Sequence, residues 1–235
     1  MGNILQIETA AEVCSVSIAS EGNVLVNKET KIGRSHAAVL SVYIQDLFNE
    51  TGFQANNLDA VAVSIGPGSY TGLRIGVSTA KGLCYGADLP LIAIPTLESM
   101  CYGLIEKQVE KQLSLEDEFL LAPMIDARRM EVYTAVFSKK MEQIEETFAL
   151  VADTDSFSEL LRQNNMAFFG DGADKLTETI KHPNAIFVKE FNLSSTYMTT
   201  PSFNRYRNKE FEDIAYFEPY YLKDFITTVP KKKIW

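Results

Sequence analysis

The sequence has few of the residues that build metal and disulfide sites. Two histidines and three cysteines occur in 235 residues, and Cys14, Cys84 and Cys101 show no Cys-x-x-Cys spacing. His36 stands four residues before Leu40, where a metal-binding helix would carry a second histidine. These patterns favour reduced, buried thiols over a disulfide framework and predict that the chain holds no metal.

Clustered positive charge is also scarce. The chain has 22 Lys and Arg against 31 Asp and Glu, a formal net charge of −9, and its one dense basic run is Lys231 to Lys233. Because clustered Lys and Arg dominate affinity for phosphates, this balance argues against independent binding to nucleic acid. The basic run is a solvated tail or a minor contact to an acidic partner.

Long apolar runs are missing as well. No segment approaches the ~18 uninterrupted apolar residues of a membrane-spanning helix. The first residues, MGNILQIET, show neither a basic region nor a signal cleavage site. We therefore expect a cytoplasmic, globular protein with no membrane partner.

The patterns that are present are those of an α/β protein. Three short runs, NILQIET, VCSVSIAS and NVLVNKET, predict an antiparallel meander of strands. A helix from about Ser35 and a continuously apolar strand at residues 58–65 follow, and the predicted order is β-β-β-α-β-α-β-α. Near the end, residues 194–213 predict a helix that Pro201 should kink or interrupt.

A polar stretch at residues 106–118 is the best candidate boundary between two units. We expect a first unit over residues 1–105 and a second over residues 106–213. The C-terminal segment, about residues 214–235, is expected to pack back on the first unit.

The stretch SIGPGSYTGLRIGVSTAKGL, residues 64–83, joins a Gly-rich turn to a Gly-rich helix. It lacks the G-x-x-x-x-G-K-[ST] spacing of a phosphate-binding loop, and GPGSYTG is not the G-x-S-x-G elbow of a serine nucleophile. Ser69 or Thr71 more simply caps the helix, although the free N–H groups at its start can hold an anion. No catalytic residue is predicted.

Two helices carry more apolar surface than docking on their own sheet requires. On the helix of residues 36–50, Val39 and Val42 fall outside the main apolar arc, which consists of Ala37, Leu40, Tyr43, Ile44, Leu47 and Phe48. The next helix holds the pairs Gly72/Gly76 and Gly82/Gly86, and interior glycines cost about 0.5–1 kcal/mol each relative to Ala. Close approach of another element must compensate, either the chain's own sheet or a helix pair from another chain.

Five stretches in this order closely resemble the TsaB (YeaZ) family of bacterial tRNA threonylcarbamoyladenosine biosynthesis proteins: ILQIETAAEVCSVSI, GPGSYTGLRIGVSTAKGL, IPTLESM, MIDARRMEVYTAVF and FEPYYLKDF. The resemblance covers most of the chain. It implies the actin/sugar kinase/Hsp70-like fold, with two related α/β lobes. It also implies a non-catalytic scaffold that pairs with a TsaD-like paralogue, which carries the metal and modifies tRNA, and with a TsaE-like ATPase.

The resemblance has consequences for ligands and partners. It implies no tightly bound cofactor, since ATP is used by the complex, and it implies that tRNA is reached through the complex. The implied interface faces the TsaD-like paralogue or, in its absence, a second copy of the chain. Its residues are Val39, Val42, Tyr43, Gly72, Leu73, Gly76, Val77 and Ala80.

The alternative is a stand-alone, ATP-dependent phosphotransferase on the same fold. Active members of the fold carry Asp at the end of the first strand, where this chain has Glu8, and the difference weakens this alternative. A second Gly-rich turn, FFGDGADK at residues 168–175, fits a plain turn or a nucleoside contact. The candidate nucleotide or anion contacts are Glu8, Gly66, Gly68, Ser69, Thr71, Gly170, Asp171 and Gly172.

Overall fold

Two mixed sheets of five strands each form the frame of the chain, seen in a computed structural model that describes residues 2–30, 36–109 and 118–223. The first sheet consists of β1 (Asn3–Glu8), β2 (Cys14–Ser20), β3 (Asn23–Thr30), β4 (Ala60–Gly66) and β5 (Leu91–Pro95). Its order is β3-β2-β1-β4-β5, with β1 to β3 antiparallel and β4 and β5 parallel to β1. The predicted N-terminal meander is confirmed.

Three helices connect or follow these strands: α1 (His36–Thr51), α2 (Tyr70–Ala87) and α3 (Thr96–Val109). The predicted element order of the first unit is therefore confirmed, although Ser35, the expected helix start, lies outside the described residues. Helices α1 and α2 contact each other, and their apolar sides pack on β2 and β4. They cover one face of the first sheet.

The second sheet repeats the arrangement of the first. Its strands are β6 (Leu120–Asp126), β7 (Glu131–Ser138), β8 (Gln143–Val151), β9 (Met166–Phe169) and β10 (Ala185–Val188), and a short helix, α4 (Ser158–Gln163), precedes β9. The order is β10-β9-β6-β7-β8, so each sheet has a three-stranded antiparallel meander followed by two strands parallel to its first strand. The repeat gives the two related lobes.

Helix α3 lies between the lobes and joins their cores. Leu97, Met100 and Leu104 of this helix belong to one buried cluster with Leu121 and Phe169 of the second sheet. Part of the predicted boundary, residues 110–117, lies outside the described residues. The shared cluster couples the two lobes by apolar burial, the main source of stability in a folded chain.

The helix expected over residues 194–213 is shorter than predicted. A 3-10 turn at Ser195–Met198 leads into α5 (Thr199–Asn208). Pro201 causes no kink, because it lies in the first turn of α5, where a backbone N–H has no partner within the helix.

The expected second unit, residues 106–213, needs correction at its end. Helix α5 and the preceding turn pack on β1 and β5 of the first sheet, with Met198 and Phe203 against Ile4 and Ile92. Polar contacts add to this packing, since the Gln6 side-chain amide lies 3.1 Å from Ser202 Oγ. The C-terminal part of that unit therefore covers the second face of the first sheet.

Residues 209–223, here called the C-terminal strap, run back along the first lobe. Glu212 N donates to Leu91 O at 2.9 Å, and Tyr220 N donates to Ile65 O at 2.8 Å. Lys81 Nζ of α2 donates to Phe217 O at 2.9 Å. The expected return of the C-terminal segment is seen as far as Lys223, and residues 224–235, including the basic run, lie outside the described residues.

Candidate functional site

The outer surface of α1 carries the exposed residue of the predicted interface. Val42 is 53% exposed, and Tyr43 beside it is half-buried. Ala38, Ser41 and Gln45 are exposed on the same helix. Val42 is therefore an apolar side chain that this chain leaves in water.

Val39 was expected at the interface, and this expectation is wrong. Its side chain is 8% exposed and belongs to the core cluster that also holds Leu40 and Ile44. Helix α1 packs on β3 as well as on β2 and α2. Its buried side is therefore rotated relative to the predicted arc, so that Val39 is buried and Ala37 is exposed.

The first glycine pair of α2 packs inside the chain. A Cβ atom at Gly72 would lie 2.1 Å from the carbonyl oxygen of Thr9, and one at Gly76 would lie 2.3 Å from Thr9 Oγ1. These distances are shorter than any real Cβ contact, so both positions require glycine for the helix to approach the end of β1. Gly72 and Gly76 are core positions, and their assignment to a partner interface is corrected.

Three further interface predictions on α2 are corrected for the same reason. Leu73 and Ala80 are fully buried, and Val77 is buried with them. Leu73 joins the cluster between the lobes, while Val77 and Ala80 join the core beneath α1 and α2. A helical wheel shows an apolar stripe but cannot tell which sheet or helix covers it.

The second glycine pair of α2 faces open space. No atom lies within 4 Å of a Cβ position at Gly82 or Gly86, and both glycines are exposed. Tyr85 between them is 86% exposed. We call this surface the outer helix face, and it consists of Ala38, Ser41, Val42 and Gln45 of α1 with Ser78, Gly82, Tyr85 and Gly86 of α2.

A groove runs between α1 and α2 beside this face. It has a volume of about 420 Å³, and Ser41, Arg74 and Ser78 contribute polar groups to its walls. Arg74 is held at one end, where its guanidinium lies 4.1 Å from the centre of the Tyr70 ring and its Nε donates to Tyr221 Oη at 3.1 Å. The strap thus fixes one border of the groove.

The Gly-Pro-Gly turn is filled by the chain's own backbone. A Cβ at Gly66 would lie 2.5 Å from Tyr220 O, and one at Gly68 would lie 2.5 Å from Ala10 O. Ser69 N donates to Ala10 O at 2.7 Å. The carbonyl of Ala10 therefore occupies the place expected for an anion, and the expected ligand contacts of Gly66, Gly68 and Ser69 are corrected.

The start of α2 is capped as the sequence suggests. Ser69 Oγ accepts a hydrogen bond from Gly72 N at 3.3 Å, so Ser69 is the N-cap residue. Thr71, also a candidate anion contact, is exposed in the first turn. The capping interpretation of Ser69 is confirmed.

Glu8 is buried at the end of β1 and ties the neighbouring loop to β4. Its Oε1 accepts from Ala10 N at 2.6 Å and from Ser64 Oγ at 2.9 Å, while Oε2 has no hydrogen-bond partner among the described residues. Burial raises the pKa of Glu8 from 4.5 to about 7, against the opposing effect of these hydrogen bonds. With no exposed surface, Glu8 is a structural group, and its expected nucleotide contact is corrected.

The second Gly-rich turn packs on the end of β6. A Cβ at Gly170 would lie 2.2 Å from Met124 O, and one at Gly172 would lie 2.8 Å from the carbonyl carbon of Ile125. Asp171 is exposed, and its Oδ1 accepts from Asp126 N at 2.9 Å. The two glycines serve packing, so their expected ligand contacts are corrected and the plain-turn alternative holds for them.

His36 and the three cysteines contact other parts of the chain or lie buried in it. His36 Nε2 lies 2.9 Å from Ala11 O at the start of α1. Cys14, Cys84 and Cys101 are free and buried, as predicted, and burial raises the pKa of Cys14 to about 11.

Residues 2–30, 36–109 and 118–223 contain no group of three or more His, Cys, Asp or Glu side chains arranged to hold a metal ion. In the same ranges no helix has the length and apolar character needed to cross a membrane.

Comparison with known proteins gives a consistent picture. The family model described as TsaD, tRNA N6-adenosine threonylcarbamoyltransferase, matches residues 24–227. The tRNA threonylcarbamoyladenosine biosynthesis protein TsaB of Escherichia coli (strain K12) is 36% identical over 151 residues, which are 63% of this chain and 62% of that protein. TsaB of Bacillus subtilis (strain 168) is 29% identical over 61% of this chain and 58% of that protein. The chain thus spans about three-fifths of the length of these curated relatives.

A solved structure shares the fold. The structure of YeaZ from Pseudomonas aeruginosa superposes with a TM-score of 0.80 and 22% identity, covering 94% of this chain and 100% of that one. This likeness shows a shared fold, and the repeated topology of the two sheets confirms the expected α/β architecture with two related lobes.

Proposed function

The chain belongs to the family described as TsaD, tRNA N6-adenosine threonylcarbamoyltransferase, and its curated relatives include TsaB proteins. On this premise we propose that it is a non-catalytic scaffold subunit in the biosynthesis of tRNA threonylcarbamoyladenosine. It pairs with a TsaD-like transferase, and a TsaE-like ATPase joins the pair. ATP is consumed by the assembly, and tRNA binds to the assembly as a whole.

The outer helix face is the observation that carries this proposal. Val42 and Tyr85 are large apolar or aromatic side chains left in water. Gly82 and Gly86 expose the backbone of α2 beside Tyr85, so a second helix can approach closely. A surface with aromatic anchors and small residues around them is typical of a protein interface.

The turns between the lobes support a scaffold rather than a phosphotransferase. The Ala10 carbonyl occupies the Gly-Pro-Gly turn, and the end of β6 occupies the turn at Gly170 and Gly172. A carbonyl oxygen carries partial negative charge, so a phosphate group would be repelled where an active kinase needs N–H donors. Opening either turn would require movement of backbone that is packed in the core.

The proposed partner surface is the outer helix face together with half-buried Tyr43. In the absence of the TsaD-like partner, the same surface pairs two copies of this chain. A self-complementary face of two helices is compatible with a two-fold axis, because each copy presents the same residues to the other.

Reconstitution tests the proposed function. The purified chain, a TsaD-like transferase and a TsaE-like ATPase are combined with unmodified tRNA and the threonylcarbamoyl donor, and each protein is left out in turn. We expect modified adenosine in the tRNA only when this chain is present, and no ATP turnover by the chain alone. Full modification without it, or steady ATP turnover by it alone, would contradict the proposal.

A further inference from the structure

The turn between β6 and β7 presents two neighbouring arginines on an unusual backbone. Arg128 and Arg129 have φ angles of 74° and 55°, in the left-handed region that favours glycine. Both side chains are exposed. We call residues 126–131 the arginine turn. Non-glycine residues hold such angles only where the surrounding structure determines them, often at functional sites.

Lys175, which lies outside the arginine turn, holds the backbone of the turn by hydrogen bonds. Its Nζ donates to Arg129 O at 3.0 Å and to Glu131 O at 2.5 Å. The same Nζ donates to the Asp126 carboxylate at 2.5 Å. The ammonium group of one lysine thus binds three acceptors of the turn, and the side chains of the two arginines lie outside this network.

Two carboxylates complete the support. Asp126 Oδ1 also accepts from Arg128 N at 2.7 Å, and Asp171 Oδ1 accepts from Asp126 N at 2.9 Å. On the other side, Lys223 of the strap pairs with the Glu131 carboxylate. The turn is therefore held by two other segments of the chain, residues 171–175 and the strap, and the backbone positions of both arginines are set before any ligand binds.

Neither guanidinium group of the arginine turn has a direct partner in the part of the chain that the structure describes. Lysines pair with Asp126 and Glu131, whereas neither Arg128 nor Arg129 forms an ion pair or a side-chain hydrogen bond with any described residue. An exposed arginine needs no partner, but two on a rigid turn in a chain of net charge −9 form a local positive site. Such a site complements an anion.

We infer that Arg128 and Arg129 contact backbone phosphates of the RNA bound by the assembly, an inference that rests on the proposed function. A guanidinium matches two phosphate oxygens at once, and the turn fixes its approach. Both arginines are exposed at the tip of a hairpin, and a small nucleotide needs a concave site instead. The phosphate backbone of a folded RNA lies on its outside, so it can contact an exposed hairpin tip without a concave site.

The size of the contact follows from the charges around it. Glu12 and Asp171 lie near one another beside the turn and carry negative charge of their own. The positive site thus consists of only two charges, those of Arg128 and Arg129. We expect it to neutralise one or two phosphates and to leave base recognition to other subunits.

Salt-dependent binding tests the inference. The complex of this chain with its TsaD-like partner is titrated with transcribed tRNA at several salt concentrations. The test variant carries Arg128→Asn and Arg129→Asn, because asparagine tolerates the left-handed backbone. A matched control carries Arg207→Asn and Lys209→Asn, which remove the same charge from an exposed site at the end of α5.

The plot of log affinity against log salt has a negative slope. We expect the test variant to reduce the magnitude of this slope by about 1 to 2, and the control to leave it nearly unchanged. Equal slopes in both variants would overturn the inference while leaving the proposed function intact. If the test variant instead fails to pair with the TsaD-like protein, the arginines serve an acidic protein surface and the inference is wrong. If the unsubstituted complex does not bind tRNA, the inference and the proposed function both fail.

Discussion

Thr9 and Gly72 hold the end of β1 against the first turn of α2. Thr9 Oγ1 donates to Gly72 O at 2.8 Å, and the Thr9 carbonyl occupies the space of a side chain at Gly72. The contact lets Ala10 reach the Gly-Pro-Gly turn and fill it. Gly72, which the sequence assigned to a partner surface, is therefore a packing position that makes room for the Thr9 carbonyl.

The two glycine pairs of α2 should respond oppositely to alanine. Gly72→Ala places Cβ against a backbone carbonyl, so we expect a loss of about 3 kcal/mol in the free energy of unfolding, the upper end for overpacking. Gly82→Ala meets open space and should gain about 0.5–1 kcal/mol from helix propensity. Urea unfolding of both variants measures the difference, and equal stabilities would contradict the packing of Gly72 on Thr9.

Val42 should matter for association and not for folding. Val42→Glu adds a carboxylate that faces water in the free chain, where the expected stability change is within about 0.5 kcal/mol. In the paired state the same carboxylate is buried without a partner, which costs several kcal/mol of association. Co-elution with the TsaD-like protein and thermal melting of the free chain give the two readouts.

Leu25→Glu is the matched control for this experiment, since Leu25 is 51% exposed on β3 and is not part of the outer helix face. Its melting temperature should equal that of Val42→Glu, and it should still co-elute with the TsaD-like protein. Normal pairing of Val42→Glu would place the interface elsewhere. Global unfolding of Val42→Glu would instead mean that Val42 belongs to the core.

Glu8 should make stability depend on pH between about 4.5 and 7. Its pKa is raised in the folded state, so the folded chain binds the proton more tightly than the unfolded chain does. The free energy of unfolding should therefore fall as pH rises through this window, by roughly 3 kcal/mol in total, since one pKa unit is about 1.4 kcal/mol.

Glu8→Gln imitates the protonated side chain and should remove this fall. Urea unfolding at pH 5, 6, 7 and 8 compares it with the unsubstituted chain and with Glu159→Gln, which changes an exposed carboxylate on α4. The exposed control should keep the pH dependence of the original chain. A fall of the same size in Glu8→Gln would show that another group causes it.

The ion pair between α3 and α5 should contribute more than a surface pair does. Arg205 Nη1 and Nη2 donate to the two Glu98 oxygens at 3.0 and 2.7 Å, and both side chains are mostly buried. Arg205→Gln leaves a partly buried carboxylate, and we expect a loss of about 2–3 kcal/mol. For the exposed pair Lys181 and Glu178, Lys181→Gln should change stability by less than about 0.5 kcal/mol. Denaturant unfolding of both variants checks the contrast.

The sequence by itself predicted the order of elements in the first unit and the resemblance to the TsaB family. Apolar runs bounded by turns predicted the first three strands, because alternation and turn residues are local signals. Glycine, serine and proline identified the turn before α2, and the lack of clustered Cys and His predicted buried thiols. Each of these conclusions depends on residues that are close along the chain.

Tertiary structure alone decided which surfaces are free. By spacing, Gly72/Gly76 and Gly82/Gly86 are equivalent i, i+4 pairs, yet only the first meets Thr9, a residue 63 positions away. Val39 and Val42 are separated by less than one helical turn, yet Val39 lies in the core cluster at 8% exposure while Val42 is 53% exposed. The arginine turn likewise depends on Lys175, which comes from a different part of the second lobe. A local pattern gives the direction of a side chain around its own helix or strand, but burial depends on what the rest of the chain packs there.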